Sequence, residues 1–475
     1  MPDLADSYKA EKDGLSYTFT LKDNLYFHNG EKLTADDIIF TLEKIKDPII
    51  KSPRKGSFDG ISAEKIDERT VKFILKQPYA SFLENMTLGI LPKTVWENSP
   101  IELNDANVSP IGSGPYMISG VEKESSGIIN SYKLESFGKF ALGEPYIDKI
   151  FLRFYPNETE LIRALKEGAV DQVSSITPLS AEKLASDGYN VKFSVLPRVF
   201  GLFFNQSQNQ LFTNKTVVRA INDAINKDRI VREVLNDYGV AIDDPIPPNM
   251  IAYQKLQGEK TATREDVLKK VEESLAKDGW KKGASGYLEK TSTINKKKTT
   301  TVLEFSISTG NAPELSRSAE LVREDLAKIG MKVDIKTFEV GNLNQTVIRP
   351  RKYDALLFGQ IINNESDLFA FWHSSQRKDP GLNVAIYTNA KVDKILEDAF
   401  VTVDPASRVK KYAQFEDEIK KDMPAVFLYS PNFIYVVSKN LEGINIDHII
   451  SPADRFSNIY AWHTKNDNVW KIFAN

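Results

Sequence analysis

The sequence predicts a two-lobed α/β protein that closes like a clamp over a ligand. Its 475 residues exceed the length of one domain, which is usually about 100–200 residues. A unit of helix, glycine and apolar strand recurs along the chain, and two extended apolar segments, at 195–205 and 424–431, resemble crossings between lobes. These patterns predict layered α/β lobes with a ligand crevice between them.

Composition excludes several other classes of protein. The 62 Lys and Arg residues and the 65 Asp and Glu residues give a net charge of -3 and are spread along the chain, which disfavours a nucleic-acid partner. The dense run Lys296-Lys297-Lys298 is expected at a solvated hairpin tip. The chain has no cysteine, so disulfides and thiolate metal sites are excluded. It also has no apolar run of about 18 residues, so no membrane-spanning helix is predicted.

The first elements follow from periodicity and capping. Alternating apolar residues predict a strand pair over Ser16 to Phe27, and Asn29-Gly30 then turns the chain. Thr34, with Asp37 three residues later, predicts a capped amphipathic helix that ends before Pro48. Further strands are predicted at 69–75 and 146–154.

The recurring unit is a helix whose end carries a glycine able to adopt the left-handed conformation. The four predicted examples are Glu158–Glu167 before Gly168, Ala181–Asp187 before Gly188, Asp266–Asp278 before Gly279, and Ser316–Ile329 before Gly330. If both extended segments cross between the lobes, the lobe between them is an insertion joined by two strands, and paired strands of this kind form a hinge.

The order of several segments resembles the peptide-type extracellular solute-binding proteins of ABC importers, family 5, which includes dipeptide- and oligopeptide-binding proteins. The segments that carry the resemblance are Leu4–Tyr8, Phe27–Asp37, Ile111–Tyr116, Phe203–Asn205, Val218–Ala220 with Ala224-Ile225, Asp367–Gln376 and Met423–Leu428. The resemblance implies a type II periplasmic-binding-protein-like clamp with an accessory subdomain on the first lobe. Residues 1–108 are then the accessory subdomain, 109–204 the core of lobe 1, 205–424 lobe 2, and 425–475 the return to lobe 1.

The same resemblance implies a function and a location. We expect a monomer that captures short peptides between its lobes and delivers them to a membrane permease, without a cofactor or metal. Relatives ordinarily carry several dozen residues before the segment matching Leu4, including a strand of the main lobe and one wall of the cleft. We therefore expect a periplasmic or extracellular protein, anchored as a lipoprotein through an N-terminal segment absent from this chain.

In the family, the extended peptide pairs with backbone near the segment matching 353–360 of this sequence. The residues expected to line the cleft here are Gly359, Gln360, Ile361, Asn363 and Glu365, with Asp367 a second available acid. A strand that ends in glycine leaves its backbone approachable, and a carboxylate can hold the ligand ammonium group. The alternative is that 363–367 is only a polar loop that caps the helix starting near Leu368.

Four other residues are candidate ligand contacts. Trp372 offers an apolar face for a side-chain pocket, although a lone Trp is more often part of a core. His373 beside it is expected to be structural unless it touches the ligand. Tyr116 follows a Gly-Ser-Gly-Pro turn that lacks the features of a phosphate loop. Arg198 either meets a ligand carboxylate or pairs with an acid between the lobes.

Catalytic signals are weak. The four histidines have no metal-ligand spacing, and no Gly-x-Ser-x-Gly motif occurs. Scattered acids leave a secreted hydrolase open as an alternative function. A binding protein of the same fold for a metal chelate or an oligosaccharide is a second alternative.

Overall fold

The computed structural model describes residues 3–248, 250, 263–294 and 297–464. The helices are α1 Ala35–Lys46, α2 Phe82–Asn85, α3 Lys93–Trp96, α4 Glu158–Lys166, α5 Pro178–Ser186, α6 Lys215–Ala224, α7 Lys227–Leu235, α8 Arg264–Lys277, α9 Pro313–Lys328, α10 Val340–Asn342, α11 Asp367–Trp372, α12 Ala390–Val401 and α13 Pro405–Asp422. A π-helical turn follows α10 at Leu343–Ile348. Among the described residues, no helix is long and apolar enough to cross a lipid bilayer.

The strands form one large sheet and several small ones. Their bounds are β1 Ala5–Ala10, β2 Ser16–Leu21, β3 Ile61–Lys65, β4 Thr70–Leu75, β5 Tyr116–Lys123, β6 Ile129–Ser136, β7 Lys149–Arg153, β8 Gln172–Ser174, β9 Asn190–Val195, β10 Arg198–Phe204, β11 Gly239–Ala241, β12 Lys281–Lys282, β13 Leu288–Ile294, β14 Lys297–Val302, β15 Glu304–Gly310, β16 Lys332–Phe338, β17 Ala355–Ile361, β18 Ala425–Val437, β19 Leu441–Glu442 and β20 His463–Thr464. The large sheet has the order β11-β18-β10-β17-β15-β16, and β8 and β9 pair with the remainder of β18.

The N-terminal region folds around its own core. Strands β1-β2-β4-β3 form a sheet that α1 covers, with Tyr17, Leu42, Phe73 and Phe82 in the buried cluster. The predicted capping box of α1 is confirmed, since Thr34 and Asp37 cap each other reciprocally. The predicted strand pair over Ser16 to Phe27 is wrong: β2 ends at Leu21 and pairs instead with β1 and β4.

Helix ends agree with the predicted glycine pattern. Gly168, Gly188, Gly279 and Gly330 follow α4, α5, α8 and α9, and all have φ between 73° and 93°. This left-handed conformation is cheap for glycine and ends the helix before the next strand begins. The predicted basic hairpin is formed by β13 and β14, with Lys298 exposed, while Lys296 lies outside the described residues.

The two predicted crossings lie side by side in the large sheet. Strand β18 is 13 residues long, and its first half pairs with β10 and β11. Its second half pairs with β9 and β8. The break between β9 and β10 falls at Leu196-Pro197, where Leu196 N–H donates to the Pro431 carbonyl at 2.9 Å. The break in the first crossing and the change of partners in the second therefore lie at the same level of the sheet, while the lobe boundaries at 108, 204 and 424 stay a prediction.

A buried carboxyl on α13 gives the second lobe a pH dependence. The Lys420 ammonium lies 2.8 Å from Glu416 and 2.6 Å from Asp244. Burial, and next the hydrogen bond with Asp244, raises the pKa of Glu416 to about 7 from its ordinary 4.5. A raised acid pKa contributes stability that is complete below the unfolded-state value and is lost as pH rises through the folded-state value.

We predict that Glu416→Gln flattens this dependence, because the amide stays neutral throughout. Between about pH 5 and about pH 8 the wild-type protein should lose about 1–3 kcal/mol more unfolding free energy than the variant. Urea unfolding followed by circular dichroism at both pH values measures this. The exposed acid Glu64, changed to Gln, should keep the wild-type profile. Equal pH dependence in wild type and Glu416→Gln would contradict the assignment.

Candidate functional site

The predicted cleft residues cluster where β17 ends and β10 begins. These two strands are antiparallel, with Arg198 opposite Ile361 and Phe200 opposite Gly359. Ile361 is 48% exposed, whereas Gln360 is 3% exposed and faces the same side as Val199. The strand therefore presents alternate residues to the solvent and to the core at its carboxyl end.

One edge of this strand end is open. At one end of the ladder Ile362 N–H donates to the Pro197 carbonyl, and at the other Asn205 N–H donates to the Asp354 carbonyl. Backbone groups in an antiparallel ladder alternate between the two edges, so those of Gly359 and Ile361 point away from β10. On that far edge β15 pairs with β17 only from Ala355 to Leu357. Among the described strands, none pairs with Gly359 and Ile361 on this edge.

Gly359 is required by packing as well as by any ligand. A Cβ at this position would lie 2.7 Å from the Phe200 ring. That ring is held by Tyr429, on which it stacks with centroids 4.9 Å apart. The absence of a side chain thus lets Phe200 lie across β17, a reason the sequence alone did not supply.

The polar loop after β17 gathers carboxylates. Asp367 accepts hydrogen bonds from the backbone N–H of Asn363 at 2.8 Å and from its side-chain amide at 3.1 Å. Burial is the largest influence on Asp367 and raises its pKa. Glu365 is buried, at 8% exposure, and its charge helps to raise the pKa of nearby Glu84, for which burial is the larger cause. The loop is therefore an acidic region, while Ser366 at the start of α11 makes no side-chain capping hydrogen bond, so the alternative interpretation of the loop as a helix cap stays a prediction.

Trp372 lies in the core of the second lobe. Its indole is fully buried and packs against Phe203, Tyr387, Phe415 and Phe427. The expectation that it faces the space between the lobes is not met in this structure, because the apolar ring is enclosed on all sides. Replacing such a ring by alanine costs about 3–5 kcal/mol of stability, so Trp372→Ala is expected to destabilise the fold.

His373 and Tyr116 have structural partners. The His373 ring stacks on Phe369 at 4.2 Å, and its Nδ1 lies 2.8 Å from the Ser375 hydroxyl. The Tyr116 hydroxyl donates to the Ile147 carbonyl at 2.9 Å, and burial raises its pKa to about 12. Tyr116 packs against a separate apolar cluster, whose members are spread between residues 116 and 462. It is not part of the group of residues around β17. A ligand role for either residue stays a prediction.

Arg198 is a cation without an acidic partner within the described residues. Burial lowers its pKa, and no carboxylate contributes to the shift. Its Nε is buried, and no hydrogen-bond acceptor reaches it in the described parts of the chain. Of the two roles predicted from sequence, pairing with an acid between the lobes is not seen in this structure.

Sequence reasoning missed one group of residues beside the acidic loop. Ser81 Oγ lies 2.6 Å from Ser366 Oγ, and Arg408 donates to Glu84 at 3.3 Å. These residues come from the N-terminal region and from the second lobe, with sequence separations of 285 and 324. No local pattern marks them.

A sizeable groove lies elsewhere in the molecule. Its volume is about 870 Å³. It is bordered by residues 149–155, which include β7, and by residues 169–175, which include β8. None of the predicted ligand residues lines it. Within the described residues, no group of three or more His, Asp or Glu side chains is arranged to hold a metal ion.

Comparison with known proteins identifies the family. The family described as "Bacterial extracellular solute-binding proteins, family 5 Middle" matches residues 1–380. The chain belongs to this family. The solute-binding protein is also 31% identical over 471 residues to the oligopeptide-binding protein AppA of Bacillus subtilis strain 168, a match that covers 97% of this chain and 82% of AppA.

Solved structures agree on the fold. AppA from Bacillus subtilis in complex with a nonapeptide is 29% identical, with a TM-score of 0.69 and coverage of 97% of this chain and 89% of AppA. NikZ from Campylobacter jejuni in complex with Ni(L-His) is 27% identical, with a TM-score of 0.74 and coverage of 97% and 90%. The predicted two-lobed periplasmic-binding-protein fold and the predicted family are confirmed.

We predict that Gly359→Ala destabilises the protein by about 1–3 kcal/mol, because the new methyl group overlaps the Phe200 ring. Thermal unfolding followed by circular dichroism measures the loss. Gly341→Ala is the matched control, since no atom lies within 4 Å of a Cβ built there. In the double variant Phe200→Leu/Gly359→Ala the cost of the alanine should fall, and a cost that does not change would show that the ring is not the cause.

Proposed function

We propose that this protein is the extracytoplasmic receptor of an ABC importer and that it binds short peptides between its lobes without chemical conversion. The observation that carries the proposal is the open backbone edge at Gly359 and Ile361. An extended peptide that adds to such an edge is held by main-chain hydrogen bonds, which do not depend on its sequence. AppA, which matches nearly the whole chain, supports peptides as the ligand class.

The charged groups around this edge suit the two ends of a peptide. Glu365, Asp367 and Glu84 place three carboxylates near one another, with the Arg408 guanidinium as a neighbouring cation. The excess negative charge favours an ammonium group. Arg198, opposite Ile361, would regain a counter-ion from a ligand carboxylate.

A receptor of this kind works outside the cytoplasm. We infer the location from the family, whose description is extracellular, and extend it to attachment at the cell envelope. The partner is a membrane permease that recognises the closed, monomeric form. Micromolar affinity, about -8 kcal/mol, is sufficient for capture and still allows release.

A metal chelate is the second candidate ligand, because NikZ was solved with Ni(L-His). Calorimetric titration of the purified protein with a synthetic nonapeptide mixture and, separately, with nickel and L-histidine distinguishes the two. Heat of binding with the peptides alone supports the proposal, and binding of the nickel complex alone replaces it. Mass spectrometry of ligand retained through purification gives an independent identification.

We predict that Glu365→Gln lowers the affinity for peptides with a free N-terminus by about 10–100-fold, because a charge-assisted hydrogen bond contributes about 1.5–3 kcal/mol. N-acetylated versions of the same peptides should bind wild type and variant alike. Isothermal titration calorimetry with the matched peptide pairs measures the effect. An equal loss for free and acetylated peptides would remove Glu365 from the ammonium site.

Arg198→Gln should show the reciprocal selectivity. Loss of the guanidinium should lower the affinity for peptides with a free C-terminal carboxylate by about 10–100-fold. The affinity for C-terminally amidated peptides should not change. Each variant is therefore the control for the other, since a general change in cleft shape would affect all peptides equally. An equal loss for free and amidated peptides would remove Arg198 from the carboxylate site.

A further inference from the structure

The N-terminal region touches residues of the predicted second lobe at a small surface. It comprises Tyr79–Asn85 on one side and Asn364–Ser366, Phe400 and Arg408 on the other. The N-terminal region itself packs against residues after 108. His28, for example, contacts the Gly114 carbonyl at 3.0 Å, and Tyr132 donates to the Val108 carbonyl at 3.0 Å. The surface therefore joins the N-terminal region, which is also attached to residues after 108, to residues 364–408.

The contact is specific but thin. Ser81 and Ser366 share a buried hydrogen bond of 2.6 Å, and the Ala80 N–H donates to the Phe400 carbonyl at 3.0 Å. The Tyr79 ring stacks on Phe400 with centroids 4.8 Å apart. No apolar cluster joins the two sides in the described residues: the cluster around Phe82 and the cluster around Trp372 share no member. Interfaces with few apolar contacts open at low free-energy cost compared with a core.

The contact extends to the acidic loop, residues 363–367. Ser81 Oγ is also 3.5 Å from the Asn364 side-chain oxygen, and Asn364 in turn accepts from Ser366 N–H at 3.0 Å. Beside it, Arg408 pairs with Glu84 across the same surface. The Arg408 side chain is 9% exposed and the Glu84 side chain 43% exposed, so this ion pair is open to solvent on its Glu84 side.

From these contacts we infer that Tyr79–Asn85 is a latch that forms when the lobes close, with Ser81 and Glu84 as positioning residues that hold loop 363–367 in its binding geometry. A ligand that bridges the lobes and a latch that forms only in the closed shape stabilise the same state, so each strengthens the other. The link to the ligand rests on the proposed function, whereas the opening of the latch does not.

Cysteine chemistry can test the opening directly, because the chain has no cysteine of its own. Ser81→Cys places a thiol in the contact, where Ser81 is 1% exposed. Ser318→Cys is the matched control, since Ser318 is 0% exposed within the second lobe. Ser125→Cys supplies the exposed reference on the turn between β5 and β6. All three variants are compared by the rate of labelling with N-ethylmaleimide in the ligand-free protein.

A latch predicts that the Ser81→Cys variant is labelled at least about tenfold faster than Ser318→Cys and at least about tenfold slower than Ser125→Cys. Labelling as slow as in the core control would mean a permanent interface, and labelling as fast as in the exposed reference would mean that the contact does not form in solution. Either result overturns the inference. Ser366→Cys reports from the other side and replaces Ser81→Cys if that variant fails to fold.

A second arm tests the coupling to ligand. The double variant Ser81→Cys/Ser366→Cys is oxidised to lock the contact, and release of the bound nonapeptide mixture is compared before and after reduction. The lock should slow release by at least about tenfold. Unchanged release would overturn the coupling. If no peptide binds to wild type, the proposed function fails, but the labelling rates still decide whether the contact opens.

Discussion

The fold depends on one long strand of the large sheet that changes partners half-way along its length. Residues 425–437 of β18 pair with β10 and β11 in their first half and with β9 and β8 in their second. The strand is buried along its length except at Pro431 and Asn432, where the partners change. A nearly continuous apolar run is what a strand covered on both faces requires. Both sets of partners are therefore held by one continuous strand, and the partners change at the level where β9 gives way to β10.

The same two-sided burial fixes the register that creates the site. Leu202 and Phe204 on β10 enter one core cluster, and Val199 and Phe203 enter the other. A shift of one residue would exchange these faces, so the pairing of β10 with β17 is strongly specified. The register in turn decides that Gly359 and Ile361 direct their backbone groups to the open edge. The binding edge is thus a consequence of core packing rather than of a local motif.

Local structure could be predicted from the sequence, but the long-range pairing of strands could not. The capping box at Thr34 and the glycines that end α4, α5, α8 and α9 each depend on neighbours within a few residues, so the pattern predicts them. The partner of β2 is β1, whose side chains are largely exposed and carry no apolar alternation. The full burial of Trp372 depends on Phe203, Phe415 and Phe427, which come from three other elements. The family resemblance placed the site region, but only the three-dimensional structure separates its enclosed residues from its exposed ones.

Broad specificity and reversible closure follow from the kinds of contact available. In the proposed function, backbone pairing at Gly359 and Ile361 would hold any extended chain, while the carboxylates of loop 363–367 and the guanidinium of Arg198 would act on the charged ends that every free peptide has. Such a site needs closure to exclude water, because exposed ion pairs contribute little. A large apolar contact between the lobes would keep the protein closed without ligand and make release slow. The inferred latch, with one serine pair, one backbone hydrogen bond, one ion pair and one ring stack, would let the ligand's own differential affinity set the population of the closed state.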